Sequence, residues 1–172
     1  MKRAGIRGRT VLIIVAVFIL MIVLYLALTV IFKEKPPAVD FTGVSASSSH
    51  VTLADNYGKS GTLLVFYDTE TEKAVETMKL IQKHAPDYPT VDILSVSVDQ
   101  GTLEERVAKA KKAGITLDDH SLFDVDGEIA KLYGVTNQLP CLYFIDKDGI
   151  VQDAYPVNIT ESTLESELEN IA

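Results

Sequence analysis

The only cysteine of the chain, Cys141, follows directly after Pro140 and opens an apolar run. A thiol that loses its proton is a nucleophile, which can form mixed disulfides or be oxidised to a sulfenic acid. Because a proline cannot donate a hydrogen bond to a strand ladder, we expect Pro140 at the first position of a strand. The sequence therefore predicts a loop, a strand over residues 142–146 and a tight turn at Asp148-Gly149.

Two interpretations of Cys141 are open at this point. It is either a redox thiol or a small buried apolar residue at a strand start, since free cysteine is among the most buried residue types. No base or cation stands near it in the sequence to activate the thiol. A single cysteine cannot form a disulfide within the chain, so the fold must be stabilised by its core alone.

Other chemistry-bearing residues give weaker signals. His50, His84 and His120 show no spacing typical of metal ligands, and residues 124–128 contain only part of a calcium-loop pattern. A helix cap explains the latter better, with Asp126 as the capping residue. Glycine-rich phosphate loops and serine nucleophile motifs are absent from the sequence. We therefore expect no metal ion and no cofactor.

The strands and helices that position these residues are predicted by alternating strand and helix signals. Residues 62–67 form a continuous apolar run of the kind that is buried on both faces of a sheet. Further strands are predicted at 51–53, 91–98, 121–123, 142–146 and 150–154, and helices at 71–85, 102–113, 127–133 and after Thr160. This order predicts an α/β fold, a mixed sheet with helices on both faces.

An apolar segment precedes this domain. Residues 11–32 contain no charged side chain, and 22 residues of helix would span about 33 Å, enough to cross a bilayer core of roughly 30 Å. The segment is longer than the apolar region of a signal peptide and lacks a small-residue cleavage pattern, so we expect an uncleaved transmembrane anchor. Residues 33–39, with two prolines, then form a linker, and residues 40–172 form the domain.

The distribution of charged residues predicts how the chain is oriented in a membrane and which classes of partner it is not expected to bind. Four basic residues lie in residues 1–10, which predicts a cytoplasmic N-terminus and an extracytoplasmic domain at a plasma membrane. All 24 acidic residues follow the apolar segment, against 12 of the 16 basic ones, a formal charge near −12. Such a domain is not expected to bind nucleic acid or anionic lipid.

Three stretches together resemble a known family. Asp40-Phe41, then residues 51–69, then residues 133–151 (YGVTNQLPCLYFIDKDGIV) are similar to the thioredoxin-fold domains of the redoxin superfamily. The chain most resembles the membrane-anchored, TlpA- and ResA-like thiol–disulfide oxidoreductases of bacteria, and also the related thiol-specific antioxidant (peroxiredoxin) branch. The resemblance implies a thioredoxin-like fold in which Pro140 is a cis-proline beside the active site.

The resemblance breaks where the reactive cysteines belong. In these oxidoreductases a C-x-x-C motif follows the strand that ends here at Tyr67, and its two cysteine positions fall on Thr71 and Ala74. The peroxidatic cysteine of the peroxiredoxin branch is missing from the same place. A hydroxyl group near neutral pH is a weak nucleophile without a base, so Thr71 cannot replace a thiolate.

Two functions follow as expectations. The first is a membrane-anchored extracytoplasmic module without dithiol chemistry, which binds a protein or peptide partner in a groove beside Pro140. The second is a single-cysteine oxidoreductase or antioxidant enzyme that uses Cys141 with a separate thiol as reductant. The missing C-x-x-C favours the first, while the position of Cys141 next to Pro140 keeps the second open.

Overall fold

The computed structural model describes residues 8–31, 35–136, 138–157 and 159–172. It divides into two units, with the boundary between Lys35 and Pro36. The first unit contains helix α1 (Gly8–Ile31), in which the side chains of residues 13–25 are described. Among the described residues, no helix has the length and apolar character needed to cross a membrane. The predicted segments 1–10, 11–32 and 33–39 each lie partly outside the described residues.

The second unit is built on one mixed sheet. Its described strands are β1 (Thr42–Ser45), β2 (His50–Thr52), β3 (Gly61–Tyr67), β4 (Val91–Ser97), β5 (Ser121–Phe123), β6 (Cys141–Ile145) and β7 (Val151–Tyr155), in the spatial order β2-β1-β5-β4-β3-β6-β7. The pairs β3–β4 and β4–β5 are parallel, and the remaining pairs are antiparallel. The predicted mixed sheet is confirmed.

Four helices connect or follow these strands: α2 (Glu72–His84), α3 (Leu103–Lys112), α4 (Glu128–Leu132) and α5 (Glu161–Ile171). The start of α3 is fixed by a capping box, in which Thr102 accepts from the Glu105 N–H and the Glu105 carboxylate accepts from the Thr102 N–H. Thr160 accepts from the Thr163 N–H and caps α5. The predicted helices over residues 102–113 and after Thr160 are confirmed.

Strand β3 separates two hydrophobic clusters because its side chains alternate between the faces of the sheet. Leu63, Val65 and Tyr67 pack with residues of α2 and α5 in one cluster, which we call the α2 face. Leu64 and Phe66 pack with the other cluster, which includes α4 and which we call the α4 face. Every residue of β3 is buried, as expected for a central strand that is covered on both faces.

Two local features differ from the predictions. Strand β1 was not predicted, because Thr-Gly-Val-Ser has too few apolar residues to give a strand pattern. Helix α4 is held mainly by Asp124 rather than by Asp126. The buried Asp124 carboxylate accepts from the N–H groups of Ile129 and Ala130 at 3.1 and 2.8 Å, whereas Asp126 accepts only from the Glu128 N–H.

Candidate functional site

The loop from β3 into α2 holds the two positions where the resemblance places cysteines. Thr71 is half-buried and directly precedes α2, and its N–H donates to the Asp68 carboxylate at 2.6 Å. Ala74, one turn into the helix, is fully buried in the cluster on the α2 face. The site therefore presents a hydroxyl, a methyl group and a carboxylate at the helix start, with no thiol among them.

The pairing of β6 with β3 places Pro140 next to this loop. The antiparallel register sets Cys141 opposite Phe66, so that Pro140 and Leu139 approach the end of β3 where the chain turns into α2. The Leu139–Pro140 peptide bond is cis, which is the geometry that the resemblance implies. Pro140 is buried, and Leu139 is half-buried and contacts both hydrophobic clusters.

Cys141 lies on the other face of the sheet from Ala74. Its side chain packs in the cluster on the α4 face, since it shares that face with its strand partner Phe66. The residue is 6% exposed, and its Sγ donates a hydrogen bond to the Gln138 carbonyl at 3.0 Å. Burial raises the pKa of the Cys141 thiol above its usual value. These are the properties of a structural cysteine rather than of an activated thiol.

A cleft of about 370 Å³ opens beside Leu139 at the carboxyl ends of β3 and β4. Its lining includes three carboxylates, those of Asp68, Glu70 and Asp99. Among the described residues that line this cleft, none is a lysine, arginine or histidine. The cleft is therefore a concave, negatively charged surface immediately next to the predicted active-site loop.

Asp99 is the most firmly anchored of these three carboxylates. It is 3% exposed, and one of its carboxylate oxygens accepts from both the N–H and the hydroxyl of Thr69, at 3.1 and 2.8 Å. Its second oxygen accepts from the Ser97 hydroxyl at 2.9 Å. These neutral donors stabilise a buried carboxylate without a cation and tie the loop after β3 to the end of β4.

Much of the remaining lining of the cleft is apolar. It includes Val98 after β4, Ala130 on α4, and Val135 and Leu139 in the segment that leads to β6. Asp124 fixes α4 through its bonds to the Ile129 and Ala130 N–H groups, so the position of Ala130 depends on a buried carboxylate outside the cleft. A ligand that fits the cleft needs both an apolar part and a positive or hydrogen-bond-donating end.

A separate cluster, away from the cleft, joins His84 to two glutamates. Ligand atoms of His84, Glu161 and Glu165 lie within 4.8 Å of one another. His84 Nε2 is 2.7 Å from a Glu161 oxygen and Nδ1 is 3.4 Å from a Glu165 oxygen, while the Lys83 ammonium also lies 2.7 Å from Glu161. The imidazole thus turns a different nitrogen to each glutamate, and Lys83 shares one of them. We interpret the cluster as a link between α2 and α5.

The loop, Pro140 and a groove beside Pro140 were predicted from the sequence, but the residues that line the cleft were not. Asp99 and Asp68 each follow a buried strand, and polar residues at the carboxyl ends of parallel strands are a signal for a site. This signal could have identified both residues. Asp124 and the apolar lining residues could not be predicted, because their positions depend on how α4 packs against the sheet rather than on any local pattern.

Sheet order, the cis-proline before β6 and the helix start beside it together define a thioredoxin-like domain. A family model for the AhpC/TSA family matches residues 35–154, and the chain belongs to that family. No curated protein sequence matches the chain.

Solved structures show the same fold at low identity. A chain described as the thiol:disulfide interchange protein DsbE from Chlorobium tepidum matches at a TM-score of 0.69 and 19% identity, over 80% of this chain and 96% of that one. The peroxidoxin BcpB from Mycobacterium tuberculosis matches at 0.65 and 16%, over 80% and 95%. A secreted disulfide oxidoreductase of Mycobacterium tuberculosis, homologous to DsbE of E. coli, matches at 0.62 and 21%, over 76% and 95%.

Burial of Cys141 makes a prediction about its reactivity. In the folded full-length chain, iodoacetamide should alkylate Cys141 at least ~10-fold more slowly than in urea, and the pH profile should rise only above ~8.5, the usual thiol range. A matched control joins Cys141→Ala with Ser166→Cys, which moves the single thiol to an exposed position on α5. Mass spectrometry of quenched samples measures both rates. Rapid alkylation of Cys141 at pH 7 would contradict the structural interpretation.

Proposed function

We propose that this AhpC/TSA-family chain acts as a binding or accessory module for a polypeptide partner and has no dithiol–disulfide exchange activity. The observation that supports this most directly is the start of α2, where Thr71 and Ala74 occupy the two positions of the expected C-x-x-C motif. The solved structures described as disulfide oxidoreductases share the fold at about one-fifth identity, which supports the architecture but not the activity.

Exchange chemistry needs two thiols with different roles. One attacks a disulfide as a thiolate, and the second resolves the mixed disulfide that results. The chain has one cysteine, which is buried on the α4 face, whereas Ala74 is buried on the α2 face. Cys141 therefore lacks both a resolving partner and an activating environment.

Binding is supported by the backbone beside Pro140. Leu139 lies outside β6, and among the described residues neither its N–H nor its carbonyl forms a hydrogen bond. A free donor and acceptor next to a strand end can pair with one residue of an extended peptide, as in strand addition. The cleft beside Leu139 would then receive a side chain of that peptide.

The absence of exchange activity is directly testable. With dithiothreitol as reductant, the full-length chain should reduce insulin disulfides no faster than buffer alone, because no thiol pair is available. The Cys141→Ala variant is the matched control, and a thioredoxin confirms that the turbidity assay responds. Turnover by the wild-type chain that disappears in Cys141→Ala would overturn the proposal and support the single-cysteine enzyme instead.

Peptide binding at Leu139 makes a second prediction. A phage library of random nine-residue peptides is selected on the immobilised full-length chain, and the enriched peptides are synthesised. These peptides should bind the Thr136→Trp variant at least ~10-fold more weakly than the wild-type chain, because the indole fills the cleft. Fluorescence anisotropy measures this. Ser166→Trp, at an exposed position on α5, is the matched control and should leave the affinity unchanged. Equal affinity for both variants would place binding elsewhere.

We also propose that residues 11–32 anchor the chain in a plasma membrane with residues 40–172 on the extracytoplasmic side. The support is the 22-residue stretch without charge and the four basic residues that precede it. The full-length chain expressed in bacteria should remain in the membrane pellet after alkaline carbonate extraction, and residues 36–172 alone should be released. Release of both in equal measure would contradict the anchor.

A further inference from the structure

The lining of the cleft beside Leu139 combines two unlike kinds of residue, and this restricts what it can receive. Asp68, Glu70 and Asp99 contribute carboxylates, whereas Val98, Ala130 and Val135 contribute apolar surface. A purely apolar side chain would leave the carboxylates desolvated without a partner, and a small hydrated cation would gain nothing from the apolar residues. Lysine and arginine match both kinds of lining residue, since each has an aliphatic stem and a charged end.

Two of the three carboxylates are held in place before any ligand arrives. Asp99 accepts from Thr69 and Ser97, and Asp68 accepts from the Thr71 N–H. A carboxylate has about four lone-pair positions, so each retains capacity for a further donor. Glu70 is exposed and free to adjust to a ligand. A cation entering the cleft would meet acceptors that are already oriented, which lowers the entropic cost of binding.

The unpaired backbone of Leu139 is an independent observation that points to a peptide. Its N–H and carbonyl form no hydrogen bond with any described residue, and its side chain lines the cleft. A peptide residue that pairs with Leu139 would therefore have a neighbouring side chain within reach of the carboxylates that line the cleft. An isolated metal ion or free amine would use the carboxylates but leave the Leu139 backbone unpaired.

We propose that the cleft receives a lysine or arginine side chain of an extended peptide whose backbone pairs with Leu139. This inference rests on the proposed function and adds to it the class of residue that is recognised. One cation of the chain competes at the edge of the site. The Lys109 ammonium lies 3.8 Å from a Glu70 oxygen and donates to the Gln100 carbonyl, and it does not line the cleft.

The test compares peptide selection on four full-length proteins. The nine-residue library is selected on the wild-type chain, on Glu70→Gln, on Glu76→Gln and on Lys109→Gln, with EDTA present to exclude metal-bridged contacts. Glu76 is exposed on α2 outside the cleft, so Glu76→Gln removes the same charge from the chain and controls for general attraction. Wild-type clones should be enriched in lysine or arginine at one position.

The affinities of the enriched peptides for these variants then separate the contribution of the cleft from general electrostatic attraction. For an enriched peptide, Glu70→Gln should weaken binding by about fivefold, the upper range for one exposed ion pair, whereas Glu76→Gln should change it by less than ~1.5-fold. Lys109→Gln should strengthen binding, because a competing cation is removed. Exchanging the peptide's basic residue for glutamine should abolish the difference between wild type and Glu70→Gln.

Three outcomes overturn specific claims. Enriched peptides that are sensitive to Thr136→Trp but show no basic residue would overturn the recognition of a cation and leave the proposed function standing. Basic peptides that are weakened equally by Glu70→Gln and Glu76→Gln would show general attraction to an acidic protein, which also overturns it. Failure to enrich any peptide sensitive to Thr136→Trp would overturn the proposed function, and the inference with it.

Discussion

The register between β3 and β6 determines the rest of the site. Because Phe66 stands opposite Cys141, both side chains lie on the α4 face, and the residues before Cys141 meet the loop that follows Tyr67. A shift of one residue would move Cys141 to the α2 face and draw Leu139 away from the end of β3. The same pairing therefore buries the one thiol and places beside the cleft the backbone of Leu139, which has no hydrogen bond to any described residue.

Much of the fold could be predicted because its signals are local. The run over β3, the helical spacing in α2, the caps at Thr102 and Thr160 and the turn at Gly149 each lie within a few residues of the element that they define. The face on which Cys141 lies could not be predicted, since it depends on strand register across a sequence separation of about 75 residues. Asp124 was missed because its role depends on how α4 packs against the sheet, although the N–H groups from which it accepts lie only five and six residues further along.

The cleft, too, could not be predicted in full from the sequence. Each acidic residue could be read in the sequence as an ordinary surface or loop carboxylate, since such residues are common at helix starts and turns. Only the parallel pairing of β3 with β4 brings Asp68 and Asp99 to one edge of the sheet. Only the packing of α4 adds Ala130 to the apolar part of the same lining. The negative charge of these residues can be read from the sequence, whereas their position around a concave cleft cannot.

Acidic residues at this helix start also bear on the proposed absence of exchange chemistry. A thiolate at a helix N-terminus is stabilised by free N–H donors and by the helix dipole. Here Asp68 accepts from the Thr71 N–H and Asp99 accepts from the Thr69 N–H, which holds two carboxylates at the approach to α2. Their negative charge would oppose a further anion in the same place. The electrostatics that disfavour a thiolate at Thr71 would favour a cation in the cleft, so the proposed lack of exchange activity and the proposed cationic ligand share one physical cause.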